Sequence, residues 1–326
     1  MALEATATPR ATRHQAGVNR GDRAWNGLLL GLGLAVLVLA AVIIYILLHA
    51  SQPLWTSTSP WQFLKSTDWD PVSGAFGALP FVYGTLVTSM LALLLAVPVG
   101  LGLSVFLTEL APKQLRPVVA FGVELLAGIP SVVYGLWGLF TLAPLLREHV
   151  EPFLQKVFGP IPVVGALFQG APLGLGYLSA GVILAIMILP TICAVTTEVV
   201  KTVPLPLREA SLALGATRWE MVRWSVLPYS KAGILGAVLL GLGRALGETM
   251  AVTMVIGNNP EIHASLFAPG YSLPSVIANE FAEATDASHT AALAALALVL
   301  FAITFLMNAA ARGLVRRSKH TAGAHG

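Results

Sequence analysis

Arg244 and Glu248 stand four residues apart in an otherwise apolar stretch, Ala232–Gly257. They are the residues of this sequence with the clearest chemical potential. A lone guanidinium at the middle of a bilayer costs about 2.5–3.5 kcal/mol on insertion scales. On an unbroken helix Glu248 lies one turn from Arg244 on the same face, and pairing offsets much of that cost. Charges held at such depth mark a pathway or a gate, a purely structural ion pair being the alternative. The planar guanidinium fork suits a tetrahedral oxyanion. A dianion is repelled by Glu248 unless Arg244 neutralises it, so a compensated pair holds an anion weakly enough to release it. Thr249 and Thr253 follow on the same segment and complete the candidate path.

These residues need a membrane-spanning frame, and the composition supplies one. Of 326 residues, 56% are hydrophobic and only 11% are charged, far below the roughly 25% of a water-soluble domain. A spanning helix needs about 20 apolar residues. Six segments qualify: Gly27–His49, Phe81–Thr108, Val118–Leu145, Leu175–Thr197, Ala232–Gly257 and Ala291–Ala311. The expected fold is an all-α membrane protein of six transmembrane helices. Residues 1–26 form an N-terminal tail, 27–50 the first helix, 51–80 an external loop, 81–312 the core domain and 313–326 a C-terminal tail. The first helix is too long for the apolar region of a signal peptide. Pro98, Pro130 and Pro190 are kink sites in helices two, three and four, tolerated where neighbouring helices satisfy freed carbonyls.

Fifteen Lys and Arg residues fall on one side of this arrangement and three on the other, the nineteenth being Arg244. The positive-inside rule therefore predicts that both termini are cytoplasmic. The opposite loops are acidic and carry Trp55, Trp61 and Trp69. Interfacial anchoring is the plain reading of those tryptophans; a surface for an external partner is the other.

The connection 198–231 is long and well punctuated. Pro206 suits the first turn of a helix, and Leu207–Leu214 is mostly good helix formers. Gly215 stands where a left-handed residue commonly ends a helix. Thr217 and Glu220 have capping-box spacing, and Pro228 is expected to close the second helix. The prediction is a helix–turn–helix elbow on the cytoplasmic side, with Trp219, Met221 and Trp224 on or near it. An interfacial hairpin on the lipid surface has the same composition.

Glu209-Ala210-Ser211, then Gly215, then Leu227-Pro228 resembles the EAA loop of ABC importer permeases. Ser211 replaces the third residue of that motif, and Ser225 stands where an isoleucine is usual. The latter change is expected to weaken hydrophobic seating of the second helix. The resemblance implies the type I ABC importer permease (MetI-like) fold, and that Glu209, Ala210, Ser211, Gly215, Leu227 and Pro228 couple to a separate ATPase. The run Arg244 to Asn258, with Glu124–Gly135 and Gly84-Thr85, is similar to PstC-type phosphate permeases. That likeness spans roughly residues 79–312. It implies phosphate import across a bacterial inner membrane, with a PstA-type second permease, a PstB-type ATPase dimer and an external PstS-type binding protein. ATP and magnesium would reside on the ATPase, with no cofactor on this chain.

No phosphate-binding loop of the Walker type is present in the sequence, and Gly241 and Gly243 lie within an apolar run, where they suit close helix packing. The histidines are scattered, so a metal site is not expected. The single cysteine, Cys193, reads as a small buried hydrophobe. Basic charge is too sparse for nucleic-acid binding. Glu124 remains as a possible intramembrane contact, or a snorkelling acid near a helix end. An importer of another oxyanion (molybdate or sulfate), an ion-coupled secondary transporter and a polytopic enzyme are the competing readings. The last two lack internal repeats and a nucleophile or metal constellation, respectively.

Overall fold

The structure is a computed structural model that describes residues 20–322, with side chains for residues 24–313. The expected N-terminal tail lies largely outside the described residues, whereas residues 313–322 of the expected C-terminal tail continue the last helix. Two compact units divide at Leu47 and Leu48. The first holds most of α1 (Arg20–Ala50), whose stretch Ala24–Ala50 is long and apolar enough to span a bilayer.

The second unit begins with two short helices, α2 (Gln52–Trp55) and α3 (Pro60–Lys65). Then comes α4 (Leu79–Val105), continued by a π-helical turn, Phe106–Leu110. Three helices are central: α4 and α9 (Tyr177–Lys201), which follow their expected spans, and α12 (Leu227–Leu246). Small residues let them approach closely, the usual device where lipid offers no hydrophobic driving force. Gly100 of α4 and Gly241 of α12 both lie against Ile192 of α9, where an added methyl would crowd it. Ser104 Oγ donates to its own Gly100 carbonyl at 2.7 Å and across to the Cys193 carbonyl at 2.9 Å. Cys193 is buried as expected. The last span is α15 (Ala287–Ala322), of which Ala287–Gly313 has spanning character.

Two of the expected spans are not single helices. The third breaks into α5 (Leu115–Gly128) and α6 (Ser131–Trp137), which meet at 95°. Pro130 is the cause. It disfavours the helical region for the residue before it, and Ile129 is extended, at φ −73° and ψ 129°. The Tyr134 hydroxyl turns back to donate to the Leu126 carbonyl at 2.7 Å, satisfying one group that the break frees. Beyond α6 the chain stays helical through a π-turn (Gly138–Leu142), α7 (Ala143–Leu145), a second π-turn (Leu146–Val150) and α8 (Glu151–Phe158).

The fifth span is displaced as well. It starts earlier, at α11 (Arg218–Met221), and runs unbroken through a π-turn (Val222–Val226) into α12. Pro228 therefore does not end the elbow's second helix. It lies at the start of α12, and the π-turn before it absorbs the missing N–H. At the other end the helix stops at Leu246, short of the expected Gly257, and resumes as α13 (Met250–Val255).

At the end where α4 and α9 begin, loops pack into a second core of Phe63, Phe76, Phe81, Tyr271 and Leu296 among others. This core includes α14 (Leu273–Glu280) and the start of α15. Trp69 belongs to it. Its ring meets Phe76 and Phe81 edge-on, and Nε1 donates to Glu280 Oε2 at 3.0 Å. Trp55 donates to Ser51 Oγ, whereas Trp61 is exposed with Lys65 above its ring. The three tryptophans thus divide between packing and an outer surface.

Candidate functional site

The elbow forms as its local signals dictate. Helix α10 (Leu205–Ala213) has Pro206 in its first turn and ends on Gly215, at φ +87°. The Gly215 N–H donates to the Leu212 carbonyl at 3.0 Å and the Ala216 N–H to the Ser211 carbonyl at 3.2 Å. That pair of bonds is a Schellman motif, which glycine favours because it needs a left-handed residue. Thr217 then opens α11 with a reciprocal capping box. The Glu220 N–H donates to Thr217 Oγ1, and the Thr217 N–H donates to Glu220 Oε2 at 2.8 Å.

Met221, Val222 and Val226 are buried against Val105, Val200 and Val203, so the second arm seats on the ends of α4 and α9. Ser225 has a polar partner instead of a hydrophobic seat. Its Oγ lies 2.5 Å from Ser211 Oγ, so the two residues that depart from the EAA pattern bond to each other across the elbow. Glu209, Ala210, Leu214, Trp219 and Trp224 are exposed, as is Pro228, and Leu227 is half-buried. The elbow thus presents an outer surface rich in apolar residues from a fixed base, with Glu209, Arg218 and Arg223 exposed beside them.

Two residues of that base were not anticipated as functional. Arg208 donates twice to Glu109 Oε1 (2.9 and 3.2 Å), to the Val203 carbonyl at 2.6 Å and to the Val200 carbonyl at 2.9 Å. One guanidinium thereby ties α10 to the ends of α4 and α9. Both side chains are largely buried, at 17% and 9% exposure, and severing a buried pair of this kind costs about 3–5 kcal/mol. The sequence signal was faint: an acid at the end of an apolar span, with its partner 99 residues away.

The mid-span residues are arranged differently from the expected ion pair. The break at Gly247 takes Glu248 off the face that carries Arg244. Glu248 Oε1 instead accepts from the Ala251 N–H at 3.3 Å, at the start of α13. Thr249 and Thr253 lie with it, Thr253 Oγ1 donating to the Thr249 carbonyl at 2.8 Å. Arg244 is exposed and reaches Thr191 Oγ1 of α9 at 3.5 Å. It makes no ion pair among the described residues.

The helices that follow the two breaks pack together: Gly135 of α6 lies on Ala251 and Met254 of α13, leaving no room for a side chain. Beyond α13, Asn258 adopts φ +53°, donates to the Thr253 carbonyl and accepts from Ser275 Oγ, anchoring the turn. Glu124 is exposed on α5, nearer the break than the helix start, with no ion pair among the described residues. The structure does not join it to the Arg244–Glu248 region. Among the described residues no group of three His, Cys, Asp or Glu side chains is placed to hold a metal.

Residues 96–320 match the family model described as "Binding-protein-dependent transport system inner membrane component". The chain belongs to this family. Relatives are similar over most of its length. The phosphate transport system permease protein PstC of Mesorhizobium japonicum is 50% identical, covering 89% of this chain and 88% of that one. Its counterpart from Pasteurella multocida is 49% identical, covering 82% and 83%. PstC 1 of Mycobacterium tuberculosis is 44% identical, covering 77% and 76%.

Solved structures share the fold. A chain of the MetNI methionine ABC transporter superposes with a TM-score of 0.57 at 19% identity, covering 77% of this chain and 99% of that one. A chain of a bacterial alginate ABC transporter gives 0.55 at 19%, covering 91% and 98%. The permease is thus an all-α, MetI-like subunit of a binding-protein-dependent ABC transporter, multi-pass in the bacterial inner membrane.

Proposed function

We propose that this permease forms half of the path of an ATP-driven phosphate importer. Arg244 carries the reading. It is a mid-span guanidinium, exposed on the isolated chain and without a carboxylate partner among the described residues. A charge at that depth does not face lipid, so this surface lies against a second permease of the PstA kind or lines the water-filled path between the two. A forked cation there is suited to phosphate oxygens, and the 50% identical relative is named for phosphate transport. Glu248, Thr249 and Thr253 border the same break, and movement of α13 against α6 is the natural gate.

The elbow, with Glu209, Ala210, Ser211, Gly215, Leu227 and Pro228, is the docking element for a PstB-type ATPase dimer holding ATP and magnesium. In this reading it is cytoplasmic, as are both termini, and a PstS-type protein delivers phosphate at the other face. The test is uptake of labelled phosphate into vesicles bearing the complete complex. Uptake is expected to need ATP and to resist competition by sulfate or molybdate. Equal competition by either ion would reassign the substrate, and uptake by this chain without an ATPase would overturn the class.

A further inference from the structure

A cavity of about 630 Å³ lies at the elbow end, between the π-turn that ends α4, the start of α5, the last turns of α9 and α10. The proposed transport cycle makes no use of it. Its walls are mainly apolar, with Leu107, Pro117 and Leu205 among them. Its charged members do not balance. Arg208 and Glu109 neutralise each other, leaving Arg116 and Lys201 in excess. Arg116 Nε donates to the Ala111 carbonyl, and neither of its terminal amino groups has a hydrogen-bond partner among the described residues. Among the described residues Lys201 is held only by the exposed Glu198 at 2.8 Å, a surface pair worth under about 1 kcal/mol and readily exchanged.

The occupant must therefore offer acceptor oxygens to the free guanidinium amino groups, carry negative charge and tolerate apolar walls. The cavity also sits where exposed Leu115, Val118 and Phe121 of α5 meet the cations Lys113 and Arg116. In a spanning protein that border is the headgroup level.

We infer that this cavity binds an anionic phospholipid, its phosphate held by Arg116 and Lys201 and its chains lying along the outer face of α5. Because Leu205 and Arg208 of α10 share the wall, a bound lipid braces the first arm of the elbow.

The complete transporter complex, reconstituted in phosphatidylcholine discs, should be titrated with labelled phosphatidylglycerol and, separately, labelled phosphatidylcholine. Wild type is expected to prefer phosphatidylglycerol roughly thirtyfold, from two cations each worth about 1 kcal/mol at a membrane surface. Arg116→Gln alone should lower that binding about fivefold, the scale of one cation at a membrane surface. Joint Arg116→Gln and Lys201→Gln should erase the preference while the complex elutes intact. Equal binding of the two lipids, or unchanged binding in both variants, overturns the site. So does displacement of the lipid by inorganic phosphate with the same residue dependence, which would hand the cavity to a soluble ion. Failure of any labelled lipid to bind would mean that another subunit covers the cavity, and would also overturn it.

Discussion

The elbow and the mid-span breaks are both interruptions of helix, yet they are held in opposite ways. At the elbow each backbone group finds a neighbour within six residues: Gly215 and Ala216 close α10, and Thr217 and Glu220 open α11. At the breaks side chains supply the bonds, two of them to groups more distant in the chain. Tyr134 returns to Leu126, Arg244 reaches to Thr191, and Glu248 serves α13 instead of Arg244. A locally closed turn keeps its shape when its surroundings move. A gap bridged by single side-chain contacts can change partners. That contrast fits a fixed docking knob at one end and a switchable site at mid-span.

Three substitutions test this contrast, from the largest effect down. Arg244→Ala should reduce phosphate uptake by roughly two orders of magnitude, the scale of losing one charge-assisted contact to the ion. The complex should still assemble, because only the 3.5 Å contact to Thr191 is lost. Near-normal uptake would remove Arg244 from the path.

Gly247→Ala should have an intermediate effect. Gly247 has φ −99°, and an added methyl group meets nothing closer than 3.7 Å, so alanine fits. It favours helix by about 1 kcal/mol, which biases α12 to run on and brings Glu248 onto the Arg244 face. A five- to tenfold fall in uptake is expected, together with a new cross-link between cysteines placed at 244 and 248. No change in either would mean that the break is set by packing, not by glycine.

Thr217→Ala removes the elbow's cap and should cost about 1 kcal/mol of local stability, read as faster amide exchange at Glu220 and Met221. Uptake should hardly move. A large loss of uptake would show that the elbow also depends on single contacts and would erase the distinction.

How much could be read beforehand follows the same division. Pro206, Gly215, Thr217 and Glu220 act through neighbours in sequence, so their spacing was enough to place both arms. The central helices α4 and α9 announced themselves through unbroken apolar length. What escaped depended on partners distant in the chain or on competition between local rules. Arg208 appeared only as one more basic residue, since Glu109 is 99 positions away. Pro130 read as a kink, although the extended Ile129 and the returning Tyr134 make it a right-angled break. Pro228 looked like a stop because the π-turn that accommodates it has no sequence signature. The pairing of Arg244 with Glu248 assumed an unbroken helix, and Gly247 is where that assumption failed.

Residues Arg218 to Leu246 form one continuous rod, with the elbow's second arm at its foot and Arg244 near its tip. At 1.5 Å per residue the distance between Arg218 and Arg244 is about 39 Å. Tilting such a rod by only about 5° at its foot would sweep the guanidinium through about 3 Å, roughly the length of a hydrogen bond. Long-range signalling in this subunit needs no relay of side chains: leverage alone can carry a small push at one face to the middle of the membrane, already amplified.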